Sequence, residues 1–225
     1  MSAKHASSDR RRSRPVQKTS TIKAVKRNKF AMALVVFIVA MLILSGVYVI
    51  FNSGGEKNNT NNTQENPIAV INTSMGIIKV ELYKDKVPNT CENFIKLAND
   101  GFYEGLVFHR VIDNFMIQGG GFYPDGSQKQ SPYGPINLEI NKEVRHVDGA
   151  IAMARTTDPN SATSQFYICD GAQHGLDDNY AVFGKTIEGM DVVRAIASAD
   201  TTTKYGMQDW PVTNVIINSI TIEYQ

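Results

Sequence analysis

Hydrophobic and polar positions change rhythm three times along the chain. Residues 1–29 are polar and basic, residues 30–51 (FAMALVVFIVAMLILSGVYVIF) carry no charge, and residues 52–66 (NSGGEKNNTNNTQEN) contain no hydrophobic side chain. From Pro67 onward short segments dominate. IAVINT and IIKVELY flank Ser74-Met75-Gly76 as a hairpin; LVFHRVI, FMIQ, AIAMA, QFYI, YAVFG and VIINSITIEY follow, bounded by Gly, Pro, Asn or Asp. Such runs, rich in β-branched and aromatic residues, predict strands. Several strands with brief helical interruptions predict a closed sheet or a sandwich. Two segments keep a helical period instead. In Asn89–Asn99, Cys91, Phe94, Ile95 and Ala98 recur at i, i+3, i+4 and i+7; Pro88 precedes them, Asn89 or Thr90 can cap the helix, and Gly101 can end it. Gly189–Ser198 places Met190, Val193, Ile196 and Ala197 on one face.

As a helix the 22 residues from Phe30 to Phe51 cover about 33 Å, enough for a hydrocarbon core of about 30 Å. The run is too long for a usual signal-peptide core, and no A-x-A cleavage pattern follows it. Charge then orients it. The formal net charge of +1 conceals a +9 segment at residues 1–29, with ten Lys/Arg against Asp9, and a −8 segment from residue 52 onward. By the positive-inside rule the N-terminus is cytoplasmic and everything after Phe51 lies outside. A basic run also suits a nucleic-acid-binding arm, but one abutting a membrane span is explained more directly by topology and anionic lipid. The Asn-rich stretch buries too little surface to offset chain entropy and reads as a flexible tether. Asn58, Asn61 and Asn72 head glycan-acceptor triplets for a host with the machinery. The expected organisation is a cytoplasmic tail (1–29), a transmembrane helix (30–51), a linker (52–66) and one domain (67–225) in a single-pass cell-membrane protein.

Composition narrows the chemistry. With 42% hydrophobic and 20% charged residues, a wholly disordered or collagen-like chain is excluded. Two cysteines without C-x-x-C exclude a disulfide-dense scaffold; Cys91 and Cys169 are expected in the core. The four histidines lack zinc-site spacing, there is no G-x-S-x-G, and Gly119-Gly120-Gly121 lacks the Lys-Ser/Thr of a phosphate loop. What remains is FHRVIDNFMIQGG, Phe108 to Gly120. Strand alternation puts Phe108 and Arg110 on one face and His109 and Val111 on the other. A cation among Phe115, Met116 and Gln118 is unusual, because apolar neighbours raise the desolvation cost of a charge. An Arg stem covering an apolar surface patch is the plain alternative.

This run resembles the signature of cyclophilin-type peptidyl-prolyl isomerases. VPNTCENFIKLANDGFYEGLVFHR, GAIAMART, SQFYICD and GLDDNYAVFGKTIEGMDVV are similar to further segments of that family, in its order. The resemblance covers Pro67–Gln225 and none of residues 1–66. It implies a mainly β fold, an eight-stranded antiparallel closed barrel capped by two α-helices, with the active groove on its outer surface. It implies that Arg110 is catalytic, that Phe115, Met116 and Leu176 hold the substrate proline ring, and that Tyr167 stands where many members have Phe. Gln118 and Gln165 match groove amides, and Ala154 matches a position whose backbone lines the substrate's path. Tyr180 replaces a histidine of many members, Arg155 a usual Asn, and Gly175 a tryptophan that contacts cyclosporin, so weak drug sensitivity is expected. No cofactor or metal is implied. The expected partners are proline-containing clients outside the cytoplasm, without nucleic acid, and the soluble domain is expected to be monomeric. The alternative is a module that holds Pro-containing segments in the same groove without turnover.

Overall fold

The computed structural model describes residues 65–224. The basic segment, the apolar run 30–51 and the linker up to residue 64 lie outside them. Among the described residues no helix is long and apolar enough to cross a membrane. The elements are β1 (Ile68–Thr73), β2 (Gly76–Leu82), α1 (Pro88–Asn99), β3 (Phe108–Ile112), β4 (Met116–Gly119), β5 (Ala150–Met153), β6 (Phe166–Cys169), β7 (Val182–Glu188), α2 (Met190–Ala197), β8 (Thr201–Lys204), β9 (Met207–Pro211) and β10 (Ile217–Glu223). Eight strands make one antiparallel sheet in the order β10-β1-β2-β7-β5-β6-β4-β3, while β8 and β9 pair separately. Each of the eight strand segments read from the sequence lies in that sheet.

The expectation of a closed barrel is corrected to a curled half-barrel. Its edges meet at one bridge, Val107 with Ile216, and at three backbone bonds: Gly105 N–H to Ile217 O, Phe108 N–H to Val215 O and Ile217 N–H to Leu106 O. These partners lie at or before the first residue of β3. Beyond them β3 is packed by β9, so no strand ladder closes the seam.

Strand periodicity divides the hydrophobic residues between two faces. Ile151, Met153, Phe166, Ile168 and Ile117 join the interior cluster with Phe94, Tyr103 and Phe183. Their alternates Ala150, Ala152, Tyr167, Cys169 and Met116 form a second cluster on the opposite face. All four residues of β5 and of β6 are therefore buried, which is why these strands read as apolar runs rather than alternations. Pro88 opens α1, where its missing N–H costs nothing. Neither Asn89 nor Thr90 caps it, contrary to expectation. Both instead donate to Glu139, whose Oε2 takes the Thr90 N–H and hydroxyl at 2.8 Å each and whose Oε1 takes Asn89 Nδ2 at 3.0 Å. A carboxylate beside the helix N-terminus satisfies free N–H groups and opposes the helix dipole. Cys91 and Cys169 are buried and free, and burial pushes each thiol up to about 12.

Candidate active site

The second cluster floors a groove on the outer face of the sheet. Register aligns one row across four strands: Arg110 opposite Gln118, Gln118 opposite Tyr167, and Tyr167 opposite Ala152. Residues directly paired across strands share a face, so separate sequence segments converge on one surface. Arg110 reaches this row through a break in alternation. The β3–β4 register shifts between Phe108 and Arg110; Phe108 and Val111 both enter the interior, while His109 packs against Phe122 and Trp210. The expected sharing of a face by Phe108 and Arg110 is therefore corrected: a bulge at His109 re-aims the arginine outward.

Arg110, Phe115, Met116, Gln118, Ala154, Arg155, Tyr167, Leu176 and Tyr180 line one concavity of about 180 Å³. Gln165, the tenth residue singled out from the sequence, lines an adjoining hollow of about 260 Å³ that shares Gln118, Ala154 and Arg155 with the first. Gln118 Nε2 donates to Gln165 Oε1 at 2.9 Å and joins the two. Gly121 permits this contact, since a Cβ there would stand 2.6 Å from the Gln165 side chain. Drug-sized ligands occupy pockets of about 300–1,000 Å³, so the first concavity suits a single small ring.

Its walls are held from behind. Tyr167 contacts Tyr180 edge-on, with ring centroids 5.9 Å apart. The Tyr167 hydroxyl lies 2.9 Å from His146 Nε2, and His146 Nδ1 lies 2.9 Å from Asp177 Oδ1. A carboxylate only accepts, so His146 carries its proton on Nδ1 and the tyrosine hydroxyl donates to Nε2. Burial lowers the His146 pKa and outweighs the Asp177 carboxylate, so the ring is neutral near pH 7. Asp177 also accepts from the His146 N–H and from Arg145 Nε. Burial alone would raise its carboxyl, but these hydrogen bonds win and hold it well below the usual range. Because Asp177 follows Leu176 in the chain, the same carboxylate ties down the 3-10 turn His174–Leu176 at the rim.

Two cations border the groove. The Arg110 side chain is 41% exposed, its Cζ stands 5.9 Å from the Phe115 ring, and its Nε lies 3.6 Å from Asp209 Oδ2. Arg155 lies 4.6 Å over the Tyr180 ring and donates to Asn179 O at 2.8 Å and Thr156 O at 2.9 Å. Sequence reading missed His146, Asp177 and Asp209. For the first two a signal existed: a tyrosine in a buried strand needs a hydroxyl partner. Asp209 sits in a hairpin that carried no apolar alternation, and nothing in the sequence marked it.

Residues 68–222 match the family described as cyclophilin type peptidyl-prolyl cis-trans isomerase/CLD. Among curated proteins, the peptidyl-prolyl cis-trans isomerase cyp18 of Streptomyces antibioticus is 46% identical over 160 residues, 68% of this chain and 96% of its own. Peptidyl-prolyl cis-trans isomerase B of Escherichia coli is 39% identical over 163 residues, 69% of this chain and 99% of its own. Among solved structures, a cyclophilin type peptidyl-prolyl cis-trans isomerase of Cryptosporidium parvum, determined in the presence of the dipeptide Ala-Pro, aligns with a TM-score of 0.64 at 31% identity. That alignment covers 70% of this chain and 99% of the other.

Proposed function

The chain belongs to the cyclophilin family of peptidyl-prolyl cis-trans isomerases, and from that premise we propose that it speeds X–Pro rotation in clients outside the cytoplasm, tethered by residues 30–51. The observation that carries the catalytic part is Arg110 at the edge of a notch walled by Phe115, Met116 and Leu176.

Rotation about an X–Pro bond faces about 18–20 kcal/mol because amide resonance keeps the bond planar. Midway through the turn conjugation is lost, and the imide nitrogen becomes pyramidal and basic. A guanidinium is always protonated and donates to that nitrogen far better than to the planar ground state, so its interaction favours the transition state. Phe115, Met116, Leu176 and Tyr167 hold the ring and exclude water, which strengthens the same interaction. Gln118, aligned beside Arg110 by register and oriented by Gln165, is placed to bind a flanking carbonyl. The chemistry moves no proton and forms no covalent intermediate. An Ala-Pro dipeptide was present with the Cryptosporidium parvum relative, which supports proline-containing segments as ligands here.

The tether rests on the apolar length of residues 30–51 and the +9 segment before it, which put the N-terminus in the cytoplasm and the isomerase domain outside. Residues 52–66 would give the domain reach to nascent clients. Slow prolyl steps take about 10–100 s uncatalysed, long enough to limit folding there. The test is a proline-limited refolding reaction with the full-length chain. The slow phase should shorten in proportion to enzyme, and excess Ala-Pro peptide should restore it; an unchanged slow phase would overturn the catalytic reading. Protease added to intact cells should remove the domain, and full protection would overturn the orientation.

A further inference from the structure

The hairpin of β8 and β9 lies outside the main sheet, and its attachment suggests what it is for. Trp210 is fully buried against β3, its ring 6.1 Å from His109 and 6.3 Å from Phe122. Its Nε1–H donates to Asn214 Oδ1 at 2.9 Å. Tyr205, at the hairpin turn, lies edge-on to Trp210 at 5.3 Å and donates its hydroxyl to Pro124 O at 3.1 Å. A large aromatic seated this way fixes β9 along β3 one residue at a time. Trp210 meets the bulge residue His109, and the preceding residue, Asp209, arrives beside Arg110. Asp209 has a left-handed backbone, φ 59°, a conformation that Asp and Asn adopt more readily than other side chains.

We infer that Asp209 is a positioning residue for the catalytic arginine, holding the guanidinium from its Nε edge so that the Nη groups face the proline notch. The inference rests on Arg110 being the group that donates to the imide nitrogen. The geometry fits the division of labour: Asp209 Oδ2 is 3.6 Å from Nε, so the carboxylate orients the cation without closing a bidentate pair that would occupy both Nη groups. Arg110 otherwise stands half-exposed at the rim, where a long side chain samples many rotamers. Restricting them favours the reacting geometry without adding substrate affinity, so the effect belongs in kcat.

The variant is Asp209→Asn, which keeps a residue suited to positive φ and removes the charge. Using the full-length chain and an uncharged Ala-Pro peptide, kcat should fall about two- to five-fold, the range an exposed ion pair supports, with KM within two-fold. Wild-type kcat should also fall as salt rises from low to high concentration and screens the pair. The variant's kcat should be flat across that series. Glu188→Gln, which breaks the exposed Lys79–Glu188 pair elsewhere, should keep the wild-type salt profile. Asp209→Glu, with the charge restored, should recover part of the lost kcat. Unchanged or raised kcat in Asp209→Asn, a loss confined to KM, or a salt slope equal to wild type would overturn the inference. Absence of turnover in the wild-type chain would instead refute the isomerase reading beneath it.

Discussion

Tyr167→Phe removes one oxygen atom and separates the support of the pocket from its chemistry. Tyr167 is 5% exposed and His146 fully buried, so the 2.9 Å bond between them has no water to replace it. The neutral imidazole cannot shift its proton to compensate, because Nδ1–H is committed to Asp177. Nε2 would be left as a buried acceptor without a donor, a loss of about 1–3 kcal/mol. For a domain of this size each kcal/mol moves Tm by about 3 °C, so the variant should melt about 3–9 °C lower. The ring itself remains, and with it the wall against Met116 and Tyr180, so kcat/KM at 25 °C should stay within about three-fold of wild type. Thermal unfolding followed by near-UV dichroism and a peptide isomerisation assay on the same preparation read both quantities. An unchanged Tm would refute the buried hydrogen-bond chain. A collapse of turnover with Tm intact would refute the claim that the hydroxyl supports the pocket rather than acting in it.

Other outcomes follow from the same structure. Glu139→Ala strips the carboxylate from four donors at the start of α1 and should cost about 1–2 kcal/mol in denaturant unfolding; no loss would mean that water caps the helix equally well. Burial pushes the His109 pKa down to about 4, against about 6.5 in an unfolded chain. Between those values the unfolded chain takes up a proton that the folded one refuses. Stability should therefore fall as pH drops through this window, by about 3 kcal/mol in full, and His109→Gln should show a shallower fall; parallel curves would refute the assignment. Arg155 finds carbonyl rather than carboxylate partners, so Arg155→Glu should lower kcat/KM about five-fold for peptides with an acidic residue beside proline, relative to neutral ones. Equal effects on both peptides would remove Arg155 from substrate selection.

How much of this was legible before the structure depended on whether a feature was local. The strands of the main sheet and the two helices announce themselves through periodicity, and the groove residues through the resemblance carried by FHRVIDNFMIQGG together with GAIAMART, SQFYICD and GLDDNYAVFGKTIEGMDVV. Alternation failed at Arg110 because a bulge is a two-strand event: the extra residue at His109 has meaning only against Gln118 and Gly119 on β4. Local signals point to Asn89 or Thr90 as the cap of α1, but the carboxylate at that helix end comes from Glu139, some fifty residues away, so tertiary contact overrides the local candidates. The β8–β9 hairpin carries no strand signal because TTTK is polar and exposed and MQDWP has no apolar alternation, its buried residues being the adjacent Trp210 and Pro211. Closure of the barrel was overstated because strand count does not reveal where a seam meets a neighbour instead of a partner.

The central claim is that one guanidinium lowers the barrier to X–Pro rotation. Peptide isomerisation by the full-length chain, wild type beside Arg110→Ala, tests it most directly. Arg110 is half-exposed and its one ion pair, with Asp209, lies at the surface, where such pairs add little stability, so the variant should fold with a Tm close to wild type. Its kcat/KM should fall about 100-fold or more, the scale seen when a transition-state donor is removed from a preorganised site. Wild-type turnover in folded Arg110→Ala would contradict the account.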